Sequence, residues 1–266
     1  MSIDPRHADD PSMNKYRLPI NPAFDVAGVR MTRIWHCFGN YMHRVDIETI
    51  LAMLSASRTN VLPINTHCLD ADTGRQGLLI GFGGVQFDQL AERANVDDMV
   101  VMLNINHQTS VGAAVEKTLL AHALTGERIV KLEVLNPDLR TSNNPELIEA
   151  VRQLKIALPE LILMPLLHND FASARALVDL GCPLLRVMGS GIGDGLGIVD
   201  EREFARICDL PVPVVLDGGV RDAGDYALAH RLGAAGCLIN SALFAGVATP
   251  DAELARFLAE SQEFLA

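Results

Sequence analysis

From Met31 onward, short apolar runs alternate with longer segments that repeat their apolar positions at helical spacing, the pattern of βα units laid around a parallel sheet. The short runs are Thr32–Cys37, Asn60–Asn65, Met99–Asn104, Ile129–Leu135, Leu161–Pro165, Leu184–Met188, Val212–Asp217 and Cys237–Asn240. Helical periodicity covers Asp46–Ser57, Val111–Leu124, Pro145–Ala157, Ala172–Leu180, Asp200–Ile207, Ala223–Leu232 and Asp251–Phe264. The second helix is the weakest of the set. A short one fits around Phe87–Arg93, after a glycine-rich stretch, Gly77–Gly84, that reads as a small hairpin or a lid. Thr141 to Glu146 supplies an N-cap followed by proline at the first helical position. Eight strands, each with its helix, in about 235 residues predict an α/β fold of one (β/α)8 TIM barrel. A doubly wound open sheet is the competing arrangement, but the first strand carries no GxGxxG turn and the glycine-rich loops fall late in the chain. The expected organisation is an N-terminal arm over residues 1–30 and a catalytic barrel over 31–266.

One strand breaks the apolar pattern. With a side-chain period of two, Ile129, Lys131 and Glu133 point one way and Val130, Leu132 and Val134 the other. A cation and a carboxylate are seldom placed inside a sheet unless paired, and such pairs often belong to a reaction site. A desolvated lysine amine suits imine formation with a carbonyl substrate. The bland alternative is a structural ion pair, or a frayed strand end facing the outer helices.

In a barrel, reactive groups belong at the C-terminal ends of the strands. After strand six, Gly189, Gly191, Gly193, Gly195 and Gly197 fall within nine residues, together with Ser190. Such a loop brings backbone N–H groups close to an oxyanion. Strand seven leads into Asp217-Gly218-Gly219-Val220-Arg221 and strand eight into Asn240-Ser241-Ala242, the loops where this fold frequently holds phosphate. Gly189, Ser190, Gly191, Gly193, Gly218, Gly219, Asn240 and Ser241 are therefore the candidate phosphate contacts. Glycine clusters alone usually mean tight turns, and Asp217 has a bland reading as cap of the helix near Asp222; three such loops on successive strands favour the site. His36, His67, His107 and His168 lie near strand ends without metal-ligand spacing, so no metal is expected, and His107 is the outside candidate among them.

Composition narrows the class. The chain has 266 residues, 49% of them hydrophobic and 21% charged, which suits a single large domain. A formal charge of −11 with no basic stripe argues against a nucleic-acid surface. Five cysteines without a CxxC pair read as reduced thiols of a cytoplasmic protein, with neither disulfides nor zinc. The polar, proline-containing start MSIDPRHADDPSMNKYRLPINP is expected to be a loose arm, neither a signal peptide nor a membrane span.

Four segments, in order, resemble thiazole synthase, the barrel enzyme that builds the thiazole phosphate of thiamin. They are Val130-Lys131-Leu132-Glu133-Val134, the run Gly189 to Ile198, the run Val212 to Val220, and Leu238-Ile239-Asn240-Ser241-Ala242. The resemblance covers the C-terminal two-thirds. It implies that Lys131 forms an imine with the ketone of a phosphorylated sugar, that Glu133 and Asp217 move protons, and that the late glycine loops hold the phosphate. It also implies sulfur delivery from the C-terminal thiocarboxylate of a small ubiquitin-like sulfur-carrier protein, a homo-oligomer, and no redox cofactor.

The N-terminal third departs from the family. The glycine-threonine-glycine-lysine-tyrosine turn after strand one is replaced by Cys37-Phe38-Gly39-Asn40-Tyr41, which lacks the lysine. Paired arginines after strand two give way to Asn65-Thr66-His67-Cys68, and a proline-asparagine-threonine turn after strand three becomes Asn104-Ile105-Asn106-His107-Gln108-Thr109. Asn40, Tyr41, Asn65, His67, Asn106 and His107 are thus candidates for a rebuilt substrate pocket, since extra hydroxyls require matched polar groups. A paralogue related to 2-thiosugar synthases, acting on a hexose phosphate such as glucose 6-phosphate, is the favoured reading over authentic thiazole synthase. A Schiff-base aldolase or isomerase without sulfur, and a non-catalytic sugar-phosphate binder, remain as alternatives.

Overall fold

The computed structural model describes residues 21–265. It opens with β1 (Ala23–Val26) and β2 (Val29–Thr32), an antiparallel hairpin. Its two turn residues, Ala27 and Gly28, have φ of 49° and 80°, the backbone twist a two-residue hairpin needs. The barrel follows, strand and helix alternating except at one inserted hairpin: β3 (Ile34–His36), α1 (Ile47–Ser57), β4 (Val61–Asn65), β5 (Leu79–Ile80), β6 (Val85–Gln86), α2 (Phe87–Ala91), β7 (Val100–Ile105), α3 (Val111–Thr125), β8 (Ile129–Leu132), α4 (Asn144–Ala157), β9 (Ile162–His168), α5 (Phe171–Asp179), β10 (Leu185–Met188), α6 (Glu201–Cys208), β11 (Val214–Asp217), α7 (Ala223–Arg231), β12 (Gly236–Ile239) and α8 (Pro250–Leu265). This is a (β/α)8 barrel. The short β5–β6 hairpin hangs from the C-terminal end of β4, where Asn65 pairs Leu79.

The parallel ladder runs β3-β12-β11-β10-β9-β8-β7-β4, so β3 and β4 lie at its two ends. Side chains tie together the elements beside that gap. Asn60 accepts from Thr32 N–H at 2.9 Å and donates to the Arg30 carbonyl at 2.8 Å. Beside it, Asn21 donates to the Ile34 and Ser57 carbonyls at 2.9 and 3.2 Å. These bonds satisfy backbone groups that a ladder would otherwise take.

The barrel interior shows why the strands alternate as they do. Trp35, Val61, Met102, Ile129, Met164, Leu184, Val215 and Leu238, one from each barrel strand or the residue before it, form a buried cluster, with Val26 and Met31 of the hairpin against it. The opposite faces of the same strands, Val130 and Leu132 among them, pack on the helices in a second, larger core. The alternation of Ile129, Lys131 and Glu133 against Val130, Leu132 and Val134 is thus an alternation between barrel interior and helix-facing core.

Helix starts are set by side chains that take otherwise orphan N–H groups. Asp46, Ser110, Asn143, Asp170, Asp200 and Asp222 each accept from a backbone N–H within their first turn. Asp222 therefore caps α7 itself, which leaves Asp217 free for other partners.

Three expectations need correction. Thr32 belongs to the hairpin rather than the first barrel strand, because its N–H is taken by Asn60 and the chain turns at Arg33. β8 stops at Leu132, since beyond it Leu135 N–H turns to the Gln108 carbonyl and Leu135 bridges Ser142. Of the start expected to be loose, residues 1–20 lie outside the described residues, while Asn21 is buried and bonded to Ile34 and Ser57. All five cysteines are free thiols, and no helix among the described residues is long and apolar enough to cross a membrane.

Candidate active site

At the C-terminal mouth of the barrel lies a cavity of about 380 Å³ whose floor is charged. Lys131 on β8 donates from Nζ to Glu133 Oε1 at 2.5 Å and to Asn104 Oδ1 at 3.1 Å. Arg186 on β10, with no exposed surface, donates from Nη2 to Glu133 Oε1 at 3.0 Å and from Nε to Asp217 Oδ2 at 2.7 Å. Its third bond goes from Nη1 to the Met164 carbonyl at 3.2 Å. Two cations and two carboxylates thus form a neutral, fully bonded quartet under the cavity. Burial of such charges is tolerated only when each is paired and hydrogen-bonded.

The chain of bonds continues sideways. Asn104 donates to Asn65 Oδ1 at 2.5 Å, and Asn65 donates to the Gly81 carbonyl at 2.8 Å. Asn65 is therefore one side chain removed from Lys131 and tied to the β5–β6 hairpin, rather than lining the cavity.

Electrostatics follow the bonding. Burial alone would push the Glu133 carboxyl up, but Lys131 and Arg186 outweigh it and hold that carboxyl well below the usual carboxylate range. Burial also pushes up the thiol of Cys37, which lines the cavity after β3. The imidazoles of His67 and His107 are held below the usual histidine value, chiefly by burial.

The late loops form the opposite wall. Gly189 N–H donates to the Gly218 carbonyl at 3.2 Å and Gly197 N–H to the Gly219 carbonyl at 2.9 Å, which zips the loop after β10 onto the loop after β11. Gly218 and Gly219 adopt φ of 102° and 83°, a conformation that costs other residues energy. Gly193, Gly218, Gly219, Asn240 and Ser241 line the cavity. Gly189, Ser190 and Gly191 lie behind it: Ser190 Oγ accepts from Leu196 N–H at 3.3 Å, and the glycines shape the turn. The loop is further held from outside by an Arg140–Asp194 ion pair.

Asn40, Asn106 and His107 also line the cavity, whereas Tyr41 and His67 sit at its rim. Tyr41 stacks on His107 with ring centroids 5.3 Å apart and meets Phe82 at 4.7 Å, and His67 stacks on Phe82 at 4.7 Å. Loops separated in sequence thus build one aromatic rim. His36 and His168 take no part: His36 is buried against Ser57 Oγ at 3.0 Å, and His168 is exposed at the end of β9.

The sequence reading omitted Arg186, Asn104, Cys37, Phe82 and Arg221. Arg186 had the same signal as Lys131, a charged residue between apolar neighbours in a strand. Arg221 lines the cavity beside the glycine loops, held by Asp225 through bonds of 2.7 and 3.0 Å.

The sequence profile of the thiazole biosynthesis protein ThiG family matches residues 83–261, a span that holds the whole quartet and the three late loops. The chain belongs to this family. It is 37% identical over 138 residues to the thiazole synthase of Azorhizobium caulinodans, covering 51% of each chain. With that of Geobacter sp. (strain M21) it shares 39% identity over 124 residues, 46% of each chain. The chain spans about half the length of the curated relatives it matches. Among solved structures, the BexX/CysO complex of Amycolatopsis orientalis aligns over 92% of this chain and 94% of that chain, with a TM-score of 0.77 and 26% identity. The thiamine phosphate pyrophosphorylase of Pyrococcus furiosus aligns over 88% of this chain and 97% of that chain, with a TM-score of 0.58 and 13% identity, a likeness of fold alone. The family's segment leaves out residues before 83, where Cys37, Asn40, Tyr41 and His67 lie.

Proposed function

We propose that this protein is a sulfur-incorporating synthase in which Lys131 forms an imine with a hexose phosphate such as glucose 6-phosphate. Sulfur arrives as the thiocarboxylate of a small ubiquitin-like carrier protein, and the product is a 2-thiosugar phosphate. The observation that carries this reading is Lys131 on the cavity floor, bonded to Glu133 and facing the glycine loops. A lysine there attacks a carbonyl as the free amine, and Glu133 Oε1 is its hydrogen-bond acceptor on the cavity floor.

Attack by the neutral amine on the aldehyde carbon expels water and leaves an imine. Loss of the proton on the neighbouring carbon gives an enaminol, and reprotonation gives a ketone at carbon two, which a sulfur nucleophile adds to. Oxidation at carbon two is balanced by reduction at carbon one, so no external oxidant is consumed. Arg186 hydrogen-bonds Glu133 and Asp217 beside the imine, where carboxylate charge stabilises the iminium. The phosphate is assigned to the loops after β10, β11 and β12, with Arg221 supplying positive charge beside them.

The choice of a hexose rests on the rebuilt wall. Asn40 and Asn106 line the cavity on the side where the family's own turns differ, and side-chain amides there suit substrate hydroxyls. The protein partner is supported by family membership and by a structural neighbour that is itself a two-protein complex. A second reading, thiazole formation from 1-deoxyxylulose 5-phosphate, is favoured by the thiazole synthases among its relatives.

Borohydride reduction in the presence of each sugar phosphate, followed by mass analysis of the Lys131 peptide, separates the two. An adduct with glucose 6-phosphate and none with 1-deoxyxylulose 5-phosphate is expected, with none in Lys131→Ala. The reverse preference moves the assignment to thiazole formation. Absence of any adduct sinks the imine reading.

A further inference from the structure

The imine chemistry needs a base for a carbon-bound proton, and the cavity offers few. Its titratable lining comprises Cys37, His107, Lys131, Glu133, Asp217 and Arg221. Lys131 is consumed as the imine nitrogen. Glu133 Oε1 and Asp217 Oδ2 are both engaged by the buried Arg186, and Glu133 Oε1 also holds Lys131. Arg221 is paired with Asp225 and stays protonated. The Cys37 thiol is buried in an apolar cluster and lacks a partner that would draw off its proton.

His107 is left, and its backbone is unusual. It adopts φ of 59°, the left-handed region, where a residue with a β-carbon is disfavoured. The residue before it, Asn106, has its amide 3.1 Å from His107 Nδ1 while its own Oδ1 is buried without a donor. Either orientation of that amide fits the contact; with Oδ1 toward the ring it accepts Nδ1–H, and the amide nitrogen takes the other buried position. His107 Nε2 is then the free, unprotonated nitrogen. The ring packs against Tyr41 and Phe82, so a strained backbone, an amide and two aromatic rings fix one imidazole in the cavity wall.

We infer that His107 is the base that removes the proton from carbon two of the Lys131-bound sugar and returns it to carbon one, an inference that rests on the imine reading above. The C–H electron pair forms the enaminol double bond as the iminium nitrogen takes up electron density. The imidazolium then reprotonates carbon one, and the enol O–H proton leaves to solvent as the ketone forms. His107 ends as it began, and no electrons are gained or lost overall.

The test uses glucose 6-phosphate deuterated at carbon two, with two readouts on the same protein: borohydride trapping at Lys131, and loss of deuterium from carbon two. His107→Gly suits the left-handed backbone, and free imidazole fits the space it opens. The expected result is trapping within about threefold of the parent protein, deuterium loss slowed by roughly 100-fold or more, and partial restoration by added imidazole. A role confined to packing would not respond to imidazole. Deuterium loss within about threefold of the parent protein overturns the inference, as does slowed loss that imidazole leaves unchanged. Trapping lost in both His107→Gly and His107→Asn also overturns it, because His107 would then serve imine formation or folding. If the parent protein traps nothing, the imine reading fails first and this inference with it, a result distinct from trapping without a proton-transfer defect.

Discussion

At the scale of single residues, burial was legible and partnership was not. A period of two along Ile129, Lys131 and Glu133 puts both charges inside the barrel, and the same test on Leu184, Arg186 and Met188 puts Arg186 there too. What no strand reveals by itself is that Arg186 on β10 reaches Glu133, 53 residues earlier, and Asp217, 31 residues later. That arrangement makes Arg186→Met informative. Removing the guanidinium leaves two buried carboxylates facing one lysine, and breaking a buried pair in this way costs about 3–5 kcal/mol. Urea unfolding at neutral pH is expected to show that loss, with much of it recovered when Asp217→Asn is added, which leaves the Lys131–Glu133 pair. An unfolding midpoint unchanged in Arg186→Met would mean that the quartet does not hold the barrel floor together.

At the scale of elements, the alternation of strands and helices was written in the periodicity, and the loops were not. The count of eight barrel strands, and the hairpin at β5–β6, follow from apolar spacing and glycine punctuation. The aromatic rim does not, because Tyr41, His67, Phe82 and His107 come from four separate stretches of chain. The glycine loops were visible as composition, but which glycine matters depends on what surrounds it. Gly193 and Gly219 have nearly the same φ, 82° and 83°. A β-carbon on Gly193 would meet nothing within 4 Å, whereas one on Gly219 would lie 2.1 Å from Ser190 Oγ and 2.9 Å from the Gly197 carbonyl. Trimming Ser190 would not relieve the second clash. Gly219→Ala is therefore expected to unzip the two loops and weaken sugar-phosphate binding by tenfold or more in calorimetry, about 1.4 kcal/mol. Gly193→Ala, strained only in its backbone, is expected to bind far closer to the parent protein. Equal affinities for the two variants would remove the loops after β10 and β11 from the phosphate assignment.

At the scale of the whole molecule, the barrel closes where its ladder ends, and that seam carries a pH dependence. His36 sits on β3 at the seam, fully buried, with Nε2 against Ser57 Oγ. Burial lowers its pKa to about 4, only partly offset by a backbone bond at Cys37. Below the unfolded value of about 6.5, the unfolded chain takes up a proton that the folded one refuses, so stability falls as pH drops. The contribution is fully present above about 6.5 and is lost progressively until the pH passes about 4. Glu133, whose carboxyl is held low by Lys131 and Arg186, costs stability only further into acid, below the ordinary carboxylate range. His67 and His107 change in the same direction as His36 but from half-buried positions. Between pH 7 and pH 5, His36 alone is therefore expected to cost about 2 kcal/mol of unfolding free energy, because each pH step of one between about 6.5 and about 4 removes roughly 1.36 kcal/mol. Urea titrations at the two pH values check this: His36→Gln, which cannot take up the proton, should lose correspondingly less stability over that interval. A variant as pH-sensitive as the parent protein would place the acid weakness elsewhere than the seam.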